Sequence, residues 1–153
     1  MRPIRPEDAG AIQDAVLASD PEDVRLRFFS SIRRLPDVLA MRLTQIDYDR
    51  EMAFVVIDEE GEGPKGVGVV RLALDPDRMR GEYAVMVQSD RIGTGLGFRL
   101  MQEIIAYGRQ IGVKQIFGDV MAENERMLGM CAELGFARSG TPEPGVVEVT
   151  LDL

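Results

Sequence analysis

Residues 81–98 read Gly-Glu-Tyr-Ala-Val-Met-Val-Gln-Ser-Asp-Arg-Ile-Gly-Thr-Gly-Leu-Gly-Phe, and this stretch constrains the fold more than any other. It predicts an apolar strand, a turn with glycine at alternate positions, and the first turns of an amphipathic helix. Glycines let the backbone come close to a ligand and turn its amides outward. The helix behind them opens with N–H groups that lack intrahelical partners and carries the positive end of its dipole. Together these features make a phosphate cradle. One carboxylate, Glu82, stands on the strand immediately upstream, in an otherwise apolar run. A phosphate site beside a lone carboxylate is a candidate catalytic centre.

Three readings of Gly93-Thr94-Gly95-Leu96-Gly97 compete. The dinucleotide fingerprint G-x-G-x-x-G wants its third glycine one residue later, although Asp119 lies near the place of the ribose-binding acid. The Walker pattern needs Gly-Lys-Ser/Thr, which this stretch lacks. The third reading is an acyl-CoA loop of the form Gln/Arg-x-x-Gly-x-Gly/Ala. Gly95-Leu96-Gly97 fits its second half, but Ile92 stands where Gln or Arg belongs, and Arg91 is one place off. The plain alternative is an ordinary strand-to-helix turn.

The order of elements separates these readings. A short strand near Ile4 leads to a helix over 7–18. Asp20-Pro21-Glu22-Asp23 caps a second helix with Val24, Leu26, Phe28 and Phe29. Leu35-Pro36 breaks the pattern, and a short helix follows over 37–44. Strands are predicted over 52–57 and 66–74, joined by an acidic turn over 58–65 as a hairpin, and over 82–87. A helix over 95–111 carries Leu100, Met101, Ile104, Ile105, Gly108 and Ile111 on one face. A strand over 115–121, a helix over 124–134 between Asn124 and Gly135, and strands over 136–139 and 146–153 complete the chain. This is a mixed α/β layered domain. Three consecutive strands before the glycine turn disfavour a dinucleotide fold, which alternates strand and helix from its start.

Composition narrows the chemistry. The 153 residues suffice for one domain with a real core. No apolar run approaches a membrane span, and the N-terminus has no secretory h-region. A single cysteine, Cys131, forbids an internal disulfide and fits a reducing cytoplasm. The chain has no histidine, so a His/Cys zinc site is untenable and no metal is expected; acid–base work falls to carboxylates, Tyr, Lys or the thiol. A net charge of −8 disfavours nucleic acid and favours a cationic partner. An acidic surface that merely aids solubility gives the same charge.

With these elements in place, the chain resembles the GNAT-fold N-acetyltransferases over nearly its whole length. Residues 124–136, Asn-Glu-Arg-Met-Leu-Gly-Met-Cys-Ala-Glu-Leu-Gly-Phe, resemble that family's Asn-x-x-Ala/Met-x-x-Leu/Met-x-x-x-x-Gly-Phe motif. Residues 43–53, Leu-Thr-Gln-Ile-Asp-Tyr-Asp-Arg-Glu-Met-Ala, are similar to the GNAT domain of bacterial Pat-type protein lysine acetyltransferases, as are residues 2–8 and Arg27-Phe28-Phe29. The resemblance implies a GNAT fold: a mixed, mostly antiparallel sheet flanked by helices, with splayed central strands. Residues 1–153 are expected to form one such domain, either excised from a longer multidomain protein or a compact single-domain relative.

What the resemblance implies is acetyl transfer from acetyl-CoA to a lysine ε-amine, with an acyl-CoA synthetase as the expected protein partner. The pantetheine is expected between the strands at 82–87 and 115–121, paired with backbone amides near Met86 and Val87. Arg91, Ile92, Gly93, Thr94, Gly95, Leu96, Gly97 and Phe98 form the turn and helix start expected to hold the pyrophosphate. Asn124 is expected to contact the CoA arm directly or through water. Asp47, Tyr48, Asp49 and Glu51 lie in the region the family places near the acceptor; a solvated loop is the bland alternative.

A lysine amine has a pKa of about 10.4 and must lose a proton before it attacks a thioester. Without histidine, Glu82 is the expected base, directly or through a water, and the resemblance implies a glutamate there too. The alternative is a structural glutamate paired with Arg71 or Arg80. Cys131 stands where many GNAT enzymes have a tyrosine that protonates the leaving thiolate, so it is a candidate acid or acyl carrier. It also shares a helical face with Met127, Leu128 and Leu134, which predicts core packing. Two rival functions remain: acetylation of a small amine, and a non-catalytic acyl-CoA-sensing module.

Overall fold

The computed structural model describes residues 1–29, 35–59 and 65–153. The elements are β1 (Arg2–Pro3), α1 (Ala9–Ala18), α2 (Pro21–Phe28), α3 (Asp37–Thr44), β2 (Glu51–Asp58), β3 (Lys65–Leu74), β4 (Arg80–Val87), α4 (Leu96–Gln110), β5 (Gln115–Met121), α5 (Glu125–Leu134), β6 (Ala137–Gly140) and β7 (Val146–Asp152). They match the expected order. The β2–β3 pair is the antiparallel hairpin predicted for it. Most of its connecting turn, residues 60–64, lies outside the described residues.

All seven strands form one sheet, in the order β1-β2-β3-β4-β5-β7-β6. Only β4 and β5 run parallel, joined through α4. The dinucleotide reading fails here, because such a fold needs several parallel strands in succession. The sheet is mixed, mostly antiparallel and covered on both faces, as the GNAT resemblance implies.

Alternation along β4 sends successive side chains to two separate cores. Tyr83 and Val85 join Leu72, Leu100, Met101, Ile104 and Ile116 beneath α4 and α5. Met86 packs against Ile4, Ile12, Val16, Val24 and Val55 on the face covered by α1–α3. Glu82, two residues before Ala84 and four before Met86, belongs to this second face.

Two boundaries differ from expectation. The first helix begins at Ala9 because Pro6–Asp8 is a 3-10 turn. There Asp8 accepts Arg5 N–H at 2.7 Å and both Arg2 guanidinium nitrogens at 2.8 Å, which closes the entry to α1. Ile111, expected on the apolar face of α4, is 42% exposed. The helix ends at Gln110, and Gly112, at φ +84°, turns the chain away.

Candidate active site

The β4–β5 ladder has only three rungs: Arg80 with Gln115, Gly81 with Ile116, and Glu82 with Phe117. Both strands continue for several residues beyond the last rung. Beyond it β4 stays paired with β3 through Val87, and β5 with β7 through Met121. Along Tyr83–Val87 the β5-facing backbone groups therefore have no strand partner. Such groups recruit a ligand or water.

A cavity of about 720 Å³ occupies this opening. Of the residues expected to act, Glu82, Met86, Val87, Arg91, Ile92, Gly93, Gly95, Gly97, Phe98 and Asn124 line it. Thr94 and Leu96 do not. Thr94 Oγ1 donates to Arg91 O at 2.5 Å, and Leu96 packs into the core beneath Gly68.

The glycine turn has the geometry of an anion cradle. Gly93 and Gly95 both sit at φ +86°, a left-handed conformation costly for any residue with a Cβ. The first intrahelical bond of α4 is Arg99 N–H to Gly95 O at 3.1 Å. The amides of Leu96, Gly97 and Phe98 precede it and lack intrahelical partners, and Gly97 and Phe98 line the cavity. Arg91 pairs with Asp58 beside them. Across the opening, Asn124 caps α5 by accepting Met127 N–H at 3.2 Å while still lining the cavity. A splayed edge of free backbone, an apolar floor and a positive helix start fit an acyl-CoA: amide-rich pantetheine along β4, pyrophosphate at α4.

Glu82 is exposed to this cavity and has no hydrogen bond or ion pair among the described residues. The structural pairing with Arg71 or Arg80 does not occur. Arg71 donates to Leu43 O at 2.9 Å and lies 3.8 Å from Glu51. Arg80 donates to Gln115 at 2.7 Å and stacks over Phe117 at 4.2 Å. Burial, then Asp119 and Asp75, push the Glu82 carboxyl above its ordinary value, while Arg27 opposes them.

Cys131 lies outside the cavity lining. It is buried beneath Tyr83, whose hydroxyl is 3.2 Å from its sulfur, and burial raises its pKa. Asp47, Tyr48, Asp49 and Glu51 also lie away from the cavity wall. Tyr48 is bonded to Ile4 O, and Asp47 accepts Asp49 N–H at 3.0 Å.

Sequence reasoning overlooked the part played by α2. Its Asp23, Leu26, Arg27 and Phe28 close the cavity from above, and β5 adds Asp119. The helix is tied to both arms of the opening. Ser89 Oγ donates to Asp23 at 2.6 Å and accepts Asp20 N–H at 2.8 Å. Arg126 reaches Asp23 at 3.1 Å, and Arg25 reaches Glu123 at 2.8 Å. The available signal was Arg27 itself, a charge one turn from Val24 on the buried face of a short helix.

Among the described residues, no group of His, Cys, Asp and Glu is arranged to hold a metal, and no helix is long and apolar enough to cross a membrane.

The acetyltransferase (GNAT) domain family matches residues 1–137. An acetyltransferase of Pseudomonas aeruginosa is 31% identical over 143 residues, 94% of this chain and 77% of that protein. Among solved structures, the GNAT domain of S. lividans PAT superposes with a TM-score of 0.89 at 24% identity, covering 99% of this chain and 89% of the other. The spermidine N-acetyltransferase of Vibrio cholerae, in complex with CoA and spermine, gives 0.78 at 19% identity, covering 99% and 93%. The opening between β4 and β5 is thus set in a chain that matches one family across most of its length, and the protein belongs to the GNAT acetyltransferases, which use acetyl-CoA.

Proposed function

We propose that this enzyme moves the acetyl group of acetyl-CoA to a lysine ε-amine on a folded protein, with an acyl-CoA synthetase as acceptor, and that Glu82 is the base. The observation that carries the reading is Glu82 itself: a carboxylate of raised pKa, without a partner among the described residues, at the root of the strand opening. Acetyl-CoA supplies an activated thioester. Glu82 takes the amine proton, directly or through one water, and Asp119 and Asp75 add negative charge that draws the cationic amine inward. Free backbone along Met86 and Val87 orients the acyl carbonyl, and the amides at 95–98 hold the pyrophosphate. Asn124 steadies the CoA arm.

The buried position of Cys131 and its raised pKa support direct attack over an acyl-cysteine. The likeness to the S. lividans PAT domain supports a protein acceptor. A lone buried thiol and the use of acetyl-CoA support a cytoplasmic setting for this single domain. The acidic group at the cavity and the spermidine enzyme among its neighbours favour a small polyamine as the second reading.

The test is acetyl-CoA turnover with a purified AMP-forming acetyl-CoA synthetase beside turnover with spermidine, for the parent and Glu82→Gln. Acetylated synthetase from the parent, and near-zero transfer from the variant, is the expected result. Transfer to spermidine alone would replace the protein acceptor with the small amine. Acetyl-CoA binding without transfer to either would leave a sensing module.

A further inference from the structure

The face of the sheet that carries Glu82 also holds two guanidinium groups. Arg71 on β3 stands opposite Ala84 of β4 and is satisfied by Leu43 O and Glu51. Arg27 descends from α2 towards the same place. It lines the main cavity and also a second chamber of about 30 Å³, and Phe28 and Met86 border both spaces with it. Its guanidinium lies 4.6 Å from the Phe28 ring centre and, among the described residues, makes no hydrogen bond and no ion pair. Burial and the neighbouring Arg71 pull its pKa to about 10, with Glu82 opposing, so it stays charged at neutral pH.

A desolvated cation whose five donors meet no acceptor among the described residues is rare in a folded protein, and a ligand group is one way to complete it. A guanidinium fork matches a planar acceptor with two oxygens. The small chamber has room for a group of carboxylate size, and Ile12, Val16, Val55 and Val69 give it apolar walls suited to methylenes. Met86 joins this chamber to the strand edge where the acyl carbonyl is expected. Arg27 and Met86 border both spaces, which sets the guanidinium beside the cavity that would hold the acyl chain. The acceptor amine instead enters beside Glu82 and Asp119.

We infer that Arg27 receives the terminal carboxylate of a short dicarboxylic acyl group, so that this enzyme takes donors of the succinyl-CoA class in addition to acetyl-CoA. The inference rests on the proposed placement of the acyl carbonyl beside Met86. The transfer step is unchanged. The amine nitrogen bonds to the acyl carbonyl carbon, the C–S bond breaks, CoA leaves as the thiolate, and Glu82 takes the amine proton. The distal carboxylate stays ionised throughout.

The experiment compares succinyl-CoA with butyryl-CoA, an uncharged chain of equal carbon count, at a fixed amine acceptor. Acetyl-CoA serves as reference, and the parent, Arg27→Gln and Arg27→Lys are assayed. The expected result is a kcat/KM for succinyl-CoA roughly tenfold or more above butyryl-CoA in the parent. That ratio should fall to about one in Arg27→Gln and recover in part in Arg27→Lys. Equal use of the two donors by the parent overturns the inference, and this holds even if no variant folds. A preference that survives in a folded Arg27→Gln also overturns it. With acetyl-CoA as donor, an Arg27-dependent preference for free lysine over lysine amide would move the carboxylate to the acceptor and overturn the donor assignment. Acetyl-CoA turnover without succinyl preference removes this inference alone, whereas failure to bind any CoA thioester removes the underlying reading too.

Discussion

Glu82 faces Phe117 across the last rung that joins β4 to β5. Beyond this rung the facing edges of β4 and β5 are open, so the carboxylate stands where the ladder between them stops. In the proposed reaction a base at this root would approach the acyl carbon from the α1–α3 face, with the donor along the freed backbone.

The pH–rate profile should report Glu82. The base must be ionised, so kcat/KM falls as pH drops through its pKa, which burial, Asp119 and Asp75 hold above the ordinary value. Asp119→Asn removes an upward influence and should move the acid limb to lower pH. Arg27→Gln removes the opposing cation and should move it higher. Glu82→Gln should lose roughly 10²–10⁴-fold in kcat/KM and abolish the limb. Stopped-time acetyl-CoA assays between pH 5 and 9 on the four proteins decide this; a limb that ignores all three changes would take Glu82 out of the chemistry.

The two left-handed glycines make separate claims on stability and on donor affinity. A Cβ at Gly95 meets nothing within 4 Å, so Gly95→Ala carries only backbone strain, about 1–2 kcal/mol. Because that strain reshapes the amides at the start of α4, KM for acetyl-CoA should rise more than kcat falls. Steady-state kinetics with a parallel urea melt separates the two effects.

Gly118 and Tyr83 are fitted to one another. A Cβ on Gly118 would lie 2.3 Å from the Tyr83 ring, whose hydroxyl is held at Cys131. Gly118→Ala should therefore destabilise the protein by about 1–3 kcal/mol. Truncating the ring in a Gly118→Ala, Tyr83→Ala double variant should cost less than the sum of the single changes. Additive losses by urea denaturation would contradict the fit.

Asp8 links the first strand to stability in acid. Its bonds to Arg2, and secondarily to Arg5 N–H, hold the carboxyl below its ordinary value. The sign follows: the contribution is present above the usual carboxylate range and is lost as pH falls through the depressed folded value. Asp8→Asn should cost about 2 kcal/mol near neutrality, and the gap to the parent should close below about pH 4. Denaturant midpoints across that range test it.

The fold was legible because its local signals agree. The hairpin, the glycine turn and the Asn124–Gly135 brackets of α5 each combine pattern with a backbone requirement that few residues meet. The glycine turn at 93–97 and the Asn124 cap, both of which reach the cavity wall, were legible for the same reason, and Glu82 was legible as the one carboxylate on an apolar strand. The roof of the site was not. The sequence shows Arg27 as a charge on a short helix, and only tertiary packing brings it beside Arg71 and into the cavity. Asp119 is likewise one of many acids until β5 carries it to the wall of the cavity that Glu82 also lines. The polar run at Asp47, Tyr48, Asp49 and Glu51 reads equally well as a site or as a turn, and its bonds to Ile4 O, within the turn and to Arg71 are those of a scaffold.

The attachments of α2 have a mechanical consequence. Ser89 belongs to the β4 arm of the opening, and Glu123 and Arg126 belong to the β5 arm. The helix is a tie-beam across a fork, fastened at its ends largely by charge. Ionic strength loosens such fastenings. Salt should therefore widen the fork and speed the escape of a thioester, even though most of these bolts lie at the rim and not along the strand edge that would grip it.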